Sequence, residues 1–360
     1  MILVIADDFT GAAELAGISL QYGLTVELCN NKVEYKNADV LIVCTNSRSL
    51  ANADAIKVTT SIVEAALQLQ PTLIYKKIDS VLRGYVVDEI KTQMQLNKIN
   101  AALIVPCNPS LGRIINNGEY SINGIKINET DFSNDPEFPI KSSFVKEILN
   151  SEVEVLKTTD EIPTHGIFIG EAATTKDIND WSNRNLNNCL LTGAGDFFTA
   201  LLQKQFKKVE NIETGLQTPF LYVCGTSFKT SLNRINELKE QANEIKIIDN
   251  YFSLLKICEE KQVLYINDSV IDCSALQLRN AMAITTVKLV DELKIKELFI
   301  EGGSTAASIL EELKIDELLA INELSRGVVR MKANDLFITV KPGSYDLPKQ
   351  LKLLLTENTD

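Results

Sequence analysis

MILVIADDFTGAAELAGISLQYGLTVELC, residues 1–29, reads as a strand, a loop, a helix and a second strand in immediate succession. Ile2–Ala6 is an unbroken apolar run, the pattern of a strand covered on both faces. Asp7-Asp8-Phe9-Thr10 then offers capping side chains and Gly11 opens a segment of helical period to Tyr22. Thr25–Cys29 returns to a short β-rich run. That sequence of elements is the start of a βαβ unit, and it predicts an α/β fold around a parallel sheet.

Working outward, the alternation continues. Strands are predicted at Val40–Cys44, Leu73–Lys77, Ala102–Val105, Gly166–Ile169 and Cys189–Leu191, with helices near Ala53–Leu69, Tyr85–Leu96, Lys176–Asn183 and Phe197–Phe206. Between Asn108 and Ser143 the pattern breaks into an Asn-, Pro-, Gly- and Ser-rich excursion, with a hairpin at Glu119–Ile127 turning on Asn123-Gly124. A long irregular insert of this kind marks a functional loop or lid. Val209–Pro219 has no apolar period and contains Gly215 and Pro219, so the domain boundary is placed there. Beyond it, strands are predicted at Phe220–Cys224, Ile245–Ile248, Val263–Ile266, Leu298–Ile300 and Leu336–Val340. The helices between them are predicted at Phe228–Gln241, Tyr251–Lys261, Ala275–Leu293 and Ala306–Leu313.

A chain of 360 residues exceeds what one core usually supports. The architecture expected is therefore two doubly wound, mostly parallel-sheet domains, 1–210 and 217–360, with the active site in the cleft between them. Ligands of such sheets sit beyond the carboxyl ends of strands, so the loops after strands carry the functional candidates.

Bulk charge narrows the partners. A net charge of −12 argues against nucleic acid, which needs a basic face, but leaves a small anion in a local cationic pocket open. The seven cysteines are scattered with no C-x-x-C pair, as expected of reduced, buried thiols in the cytoplasm. The first apolar run is too short for a signal peptide, and no stretch approaches the roughly 20 apolar residues of a membrane span. With His165 the only histidine, a His-rich metal site is excluded and proton transfer falls to Asp, Glu or Lys.

Among the strand-end loops, Ala6-Asp7-Asp8-Phe9-Thr10-Gly11 brings two adjacent carboxylates, costly unless paired or solvated. Asp8 is the preferred candidate for binding substrate hydroxyls, with helix capping as the alternative. Arg48 in Asn46-Ser47-Arg48 can grip a carboxylate through its fork. Lys76-Lys77-Ile78-Asp79-Ser80-Val81-Leu82-Arg83-Gly84 concentrates both charge signs in one strand-to-helix loop, suited to holding an anion and orienting a hydroxyl. In the second half, Gly225-Thr226-Ser227, Gly302-Gly303-Ser304-Thr305 and Pro342-Gly343-Ser344 each place small residues and free N–H groups after a strand, a phosphate cradle. None of these is a G-x-x-x-x-G-K-[ST] loop, and no G-x-G-x-x-G occurs. Gly193-Ala194-Gly195-Asp196 matches the G-A-G-D of ribokinase-like sugar kinases, but its position at the end of the first domain favours helix capping by Asp196 over membership.

Taken in order, these loops resemble the four-carbon acid sugar kinase family. The likeness rests on IADDFTGAAELA at 5–16, NSR at 46–48, KIDSVLRG at 77–84, PCNPSLGR at 106–113 and GxxxxNGxxINETDFSNDPEFP at 118–139. GTSFKT at 225–230, EGGSTA at 301–306 and KPGSYD at 341–346 add to it. The resemblance implies ATP-dependent phosphorylation of a hydroxyl on threonate, erythronate or 3-oxo-tetronate. It implies a first domain holding the sugar acid through Asp8, Arg48, Lys77, Asp79 and Ser80, with Arg83 near the transferred phosphate. Asp8 or Asp79 is the candidate base, and Lys77 and Arg83 stabilise charge. The second domain would hold ATP through Ser227, Gly302, Gly303, Ser304, Thr305 and Gly343, with Mg2+ bridging the phosphates and no dedicated protein metal site. The chain departs from the family in Ser304, where an Asp or Glu is common, in Ile114-Ile115 after Gly112-Arg113, where two Thr are usual, and in a shorter second domain. The alternatives are a sugar-acid-binding protein without nucleotide chemistry and a kinase for another small hydroxy acid or sugar. A homodimer is left open.

Overall fold

The computed structural model describes residues 1–360 apart from Pro136, residues 211–213, Ser227, residues 268–272, Ser344 and residues 357–360. The chain divides into two compact units, Met1–Val209 and Glu210–Asp360.

The first unit is built on a parallel sheet. Its strands are β1 (Ile2–Ala6), β2 (Val26–Asn30), β3 (Val40–Cys44), β4 (Leu73–Lys77), β5 (Ala101–Val105), β9 (Glu154–Leu156), β10 (Gly166–Gly170) and β11 (Cys189–Gly193). They lie in the order β2-β3-β1-β4-β11-β5-β10-β9, and each neighbouring pair is parallel. The crossovers are helical: α1 (Phe9–Leu20), α2 (Asn52–Leu67), α3 (Val86–Asn97), α5 (Thr175–Ser182) and α6 (Gly195–Gln203). Every residue of β1, β3 and β5 is buried, as two-sided cover requires. One face packs Leu3, Ile5, Leu41 and Val43 against Ile62, Val63 and Ala66 of α2. Because β2 and β3 lie on one side of β1 and β4 on the other, the strand order reverses at β1, and the crevice forms there.

The excursion after β5 carries a small antiparallel sheet, β6 (Arg113–Asn116), β7 (Glu119–Ile122) and β8 (Ile125–Lys126), with the β7–β8 turn at Asn123-Gly124. Three 3-10 turns, Pro109–Leu111, Ile127–Glu129 and Asp131–Asn134, and the one-turn helix α4 (Val145–Ile148) complete it.

The second unit contains β12 (Phe220–Cys224), β13 (Glu244–Ile247), β14 (Phe252–Cys258), β15 (Lys261–Ile266), β16 (Glu297–Glu301), β17 (Glu317–Ser325), β18 (Val328–Ala333) and β19 (Leu336–Lys341). Its order is β13-β14-β15-β12-β16-β19-β18-β17. The centre, β15-β12-β16-β19, is parallel, and both flanks are antiparallel. Its helices are α7 (Lys229–Gln241), α8 (Ala275–Glu292), α9 (Gly303–Glu312) and α10 (Lys349–Thr356). Phe220, Tyr222, Leu255, Val263, Phe299 and Ile235 share its core.

One sequence expectation is corrected here. The segment Tyr251–Lys261, read as a helix, forms strand β14 and the tight turn into β15, with Cys258 opposite Lys261. Tyr251, Leu254, Leu255 and Cys258 have helical spacing, but a two-residue turn and a partner strand satisfy the backbone instead. The β17–β18 hairpin, turning at Arg326-Gly327 with Gly327 at φ +68°, was not anticipated.

No helix among the described residues is long and apolar enough to cross a membrane. None of the seven cysteines is in a disulfide, and burial pushes the thiols of Cys107 and Cys224 up to about 12 and about 11.

Candidate active site

In the first unit, the loops after β1, β3 and β4 meet at the crevice beside β1. Asp8 caps α1: its Oδ1 accepts from the Gly11 amide at 2.9 Å and its Oδ2 from the Thr10 hydroxyl at 2.6 Å. After β3, Asn46 adopts the left-handed conformation that Asn tolerates and donates to Asn30 Oδ1 at 2.6 Å, and a 3-10 turn, Ser47–Ser49, follows. The turn sends Arg48 toward β1. Its Nε and Nη2 fork onto Asp7 at 2.9–3.0 Å, and its Nη1 donates to Asp8 Oδ2 at 3.1 Å. Asp79 Oδ1 lies 3.7 Å from the same guanidinium. One cation thus organises three carboxylates. The fork that the sequence reading reserved for a substrate carboxylate is engaged by Asp7.

The loop after β4 supplies the rest. Lys77 Nζ donates to Ile78 O at 3.0 Å and lies 3.4 Å from Glu14 Oε2 on α1. Asp79 receives three bonds from Arg83, from the amide at 3.1 Å, Nε at 2.8 Å and Nη2 at 3.1 Å. Arg83 Nη1 reaches on to Asp135 at 2.7 Å, and its guanidinium lies over the Phe132 ring. Ser80 is tied down through two groups: its hydroxyl accepts from Arg113, and its carbonyl accepts from Tyr120 at 2.8 Å. Lys76 points away from this edge into a buried ion pair with Glu89.

Charge states follow. Burial opposes ionisation of Asp8, but Arg48, Lys77 and the Thr10 hydroxyl outweigh it and hold the carboxyl below its ordinary value. Burial opposes Asp79 in the same way, and Arg83 with Arg48 drives it far lower. Burial lifts Asp7 above its ordinary value, against Arg48. Each of the two candidate bases accepts three hydrogen bonds, and Asp79 is the less exposed, its side chain 10% accessible against 23% for Asp8. A cleft of about 530 Å³ opens beside Arg83, lined also by Gly84, Phe138 and Lys141. Another, of about 400 Å³, runs between the Asn117-Gly118 turn and Lys157 and shares none of the residues named above.

Asp196 lies in the first turn of α6 and accepts from the Ser110 amide and hydroxyl, while its own amide donates to Asn108 Oδ1 at 2.9 Å. These bonds pin the Ser110 loop, and α6 has no side-chain N-cap. The sequence reading overlooked Asp7 as the main partner of Arg48, and Asp135, Phe132 and Arg113 as neighbours of Arg83 and Ser80. All three come from the irregular excursion, and the one signal for them was its retention of charged and aromatic residues inside a Gly-Asn-Pro context. Glu14, a carboxylate within the apolar run Ala12–Ile18, was a second legible signal.

In the second unit, β12, β16 and β19 are adjacent parallel strands, so their three glycine loops emerge side by side. The Gly225 amide donates to Glu301 O and the Gly302 amide to Lys341 O. Thr305 Oγ1 donates to Gly225 O at 3.2 Å. A Cβ on Gly225 would fall 2.2 Å from Thr305 Oγ1, and one on Gly343 would fall 2.6 Å from Thr226 Oγ1. Gly302 sits at φ +113°, where other residues are strained. Gly302, Gly303, Ser304, Thr305 and Gly343 are thereby brought together; Ser227 lies outside the described residues. Ser304 is exposed in the first turn of α9. Below the loops, buried Glu301 accepts from Tyr222, Ser231 and Arg234 and pairs with Lys341 at 2.9 Å. Open backbone and a helix N-terminus fit a polyphosphate. Among the described residues no group of three or more His, Cys, Asp or Glu could hold a metal ion.

These features define a two-unit α/β protein with a polar, charge-organised crevice in its N-terminal half, and residues 2–232 match the family model described as a sugar-binding N-terminal domain. The chain belongs to that family, the four-carbon acid sugar kinases. It is 24% identical to a D-threonate kinase of Salmonella typhimurium, covering 95% of each chain. It is 30% identical to a D-erythronate kinase of Heliobacterium modesticaldum over 42% of this chain and 36% of that protein. A solved Haemophilus influenzae protein of the DUF1537 family superposes with a TM-score of 0.73 at 18% identity, covering 97% of this chain and 98% of that one, which shows the shared fold.

Proposed function

We propose that this chain transfers a phosphoryl group from ATP to a hydroxyl of a four-carbon sugar acid (threonate, erythronate or 3-oxo-tetronate) in the cytoplasm. The first unit binds the acid and the second the nucleotide. The observation that carries this reading is the meeting of Asp8, Arg48, Lys77 and Asp79 at one strand-order reversal. Both Asp8 Oδ1 and Lys77 Nζ lie within 3 Å of a single point beside Gly11.

In this reading Asp8 accepts the acceptor hydroxyl and takes its proton as the new O–P bond forms. A loose phosphoryl-transfer transition state asks little of a base beyond positioning, so a carboxylate held ionised suffices. Arg48, its fork filled by Asp7, reaches the substrate through the Asp8 carboxylate that it orients. Lys77 and Arg83 stabilise negative charge on the substrate and the transferring group. Asp79, saturated by Arg83, fixes that guanidinium, and Ser80 presents its loop to the acid. Gly303, Ser304, Thr305 and Gly343, with Ser227, would hold the nucleotide phosphates through backbone N–H groups, and Gly302, its own amide taken by Lys341 O, would leave room for them. Mg2+ bound with the nucleotide would neutralise phosphate charge and would need few protein ligands.

The test is ADP formation with Mg-ATP and each of the three acids. Absence of turnover on all three overturns the reading; turnover on another hydroxy acid alone replaces the substrate. A second reading, a sugar-acid-binding protein without nucleotide chemistry, draws on the exposed Ser304, where the family resemblance implies an acid. Thermal stabilisation by a sugar acid and none by Mg-ATP would favour it.

A further inference from the structure

Glu14 stands on α1 three residues past Gly11, so the two are neighbours on one side of the helix. The residue is 7% exposed. Its Oε2 lies 3.4 Å from Lys77 Nζ, while its Oε1 is buried with no hydrogen-bond partner. The backbone closes tightly on this pair at two glycines. A Cβ on Gly195, at the start of α6, would fall 2.7 Å from Glu14 Oε1, and one on Gly11 would fall 2.9 Å from Lys77 Nζ. Any side chain at either position would crowd the ion pair. A buried carboxylate oxygen without a donor is costly, and a carboxylate can only accept. The donor it calls for is an O–H or N–H. With Asp8 on the other side of Lys77, a second anionic group at Oε1 would be repelled, whereas a neutral hydroxyl of an otherwise anionic ligand satisfies both Lys77 and Glu14.

We propose that Glu14 Oε1 accepts a hydrogen bond from a hydroxyl of the acid bound in the first unit, which makes Glu14 a specificity-determining residue selecting hydroxylated over deoxy acids. The substrate class rests on the function proposed above; the Glu14 contact rests on the geometry alone.

Calorimetric titration in the absence of nucleotide tests it. The ligands are D-threonate, D-erythronate and their 2-deoxy and 3-deoxy counterparts; the proteins are the intact chain, Glu14→Gln and Gly195→Ala, the last crowding Oε1 with a methyl group. A bond to a charged group is worth about 10-fold or more in affinity. The expected result is a loss of about that size in both variants for the trihydroxy acid, and a change within about twofold for the one deoxy acid that lacks the recognised hydroxyl. Equal losses for all ligands indicate general damage to the crevice and overturn the proposal. So does unchanged binding throughout, as when a water satisfies Oε1 in the bound state. Failure of the intact chain to bind any of these acids overturns both the contact and the sugar-acid reading. Selective binding without ADP formation would break the kinase reading alone. Thermal unfolding reports whether each variant folds, and Gly195→Ala, which keeps the carboxylate, stands in if Glu14→Gln does not.

Discussion

The two units solve the same geometric problem with opposite materials. Each begins with a strand that becomes central, β1 or β12, and each reverses its strand order beside it, so three loops converge on one edge. In the first unit the converging loops are held by charge: Arg48 ties Asp7, Asp8 and Asp79 together, and Arg83 ties Asp79 to Asp135. In the second they are held by the absence of side chains, with Gly225, Gly302 and Gly343 letting backbones approach and the charges of Glu301, Lys341 and Arg234 paired with one another beneath them. A crevice built from paired charges fixes directions and suits a small polar acid with several hydroxyls. A cradle built from bare backbone suits a repeating anion, which asks for N–H groups more than for a particular shape.

The comparison breaks most visibly at Arg48. Truncating one member of a buried ion network leaves the other charges uncompensated, at about 3–5 kcal/mol. Arg48→Ala is expected to lower stability by that order and to cut turnover by about 100-fold or more, since Asp8 loses its orientation. Thermal unfolding and steady-state kinetics check it. If charge organisation is the cause, adding Asp7→Asn to Arg48→Ala recovers part of the stability but not the activity; a double variant no more stable than the single one contradicts it.

In the second unit the comparable change is Gly225→Ala. The new Cβ would lie 2.2 Å from Thr305 Oγ1 and 2.7 Å from Thr305 Cβ, so the loops must part. Overpacking of this kind costs about 1–3 kcal/mol. Loss of nucleotide-induced stabilisation with sugar-acid binding retained is the expected outcome, read by thermal shift with each ligand. Loss of both would show that the two sites do not divide the ligands as proposed.

The first unit should also carry more of the acid sensitivity. Asp8, Asp79 and Asp135 have folded-state values below the ordinary 3.8, so their stabilisation is complete above that value and is lost as pH falls through the lower folded values. Asp7, shifted upward, works in the other sense. Asp79→Asn is expected to be less stable than the parent at neutral pH, yet to lose less on acidification from about pH 5 to pH 3. Melting temperatures over that range decide it, and parallel curves for the two proteins would remove Asp79 as a source of the acid limb.

What could be read from the residues tracks this same division. Buried parallel strands announce themselves: Ile2–Ala6, Val40–Cys44 and Phe220–Cys224 are continuous apolar runs of strand length, and the structure puts them where the alternation implies. The glycine loops were legible too, because small residues after a strand have few other uses. Partners across the fold were not. Arg48 pairing with Asp7 spans 41 residues and Arg83 pairing with Asp135 spans 52, and side-chain pairing at such separations leaves no periodic trace. β14 failed for a different reason: over seven residues helical and strand periods overlap, and a neighbouring strand decided between them.

The smallest expected effect sits at Ser304, where the family resemblance implies an acid. Ser304 is exposed in the first turn of α9, so Ser304→Asp buries nothing and strains nothing. A carboxylate there opposes the positive helix end and is worth about 0.3–1 kcal/mol, a rise of about 1–3 °C. Its effect on nucleotide depends on the metal. Without Mg2+ the added charge repels the phosphates and weakens binding a few-fold; with Mg2+ the new carboxylate offers the ion a ligand, and binding tightens. A reversal of sign on adding Mg2+, read by titration of ADP with and without the metal, would mark the glycine loops as the phosphate cradle and Ser304 as a neutral tuning of it. A melting-temperature rise with no nucleotide response in either condition would leave only the helix-end term, and would turn the comparison toward a second unit that no longer handles nucleotide.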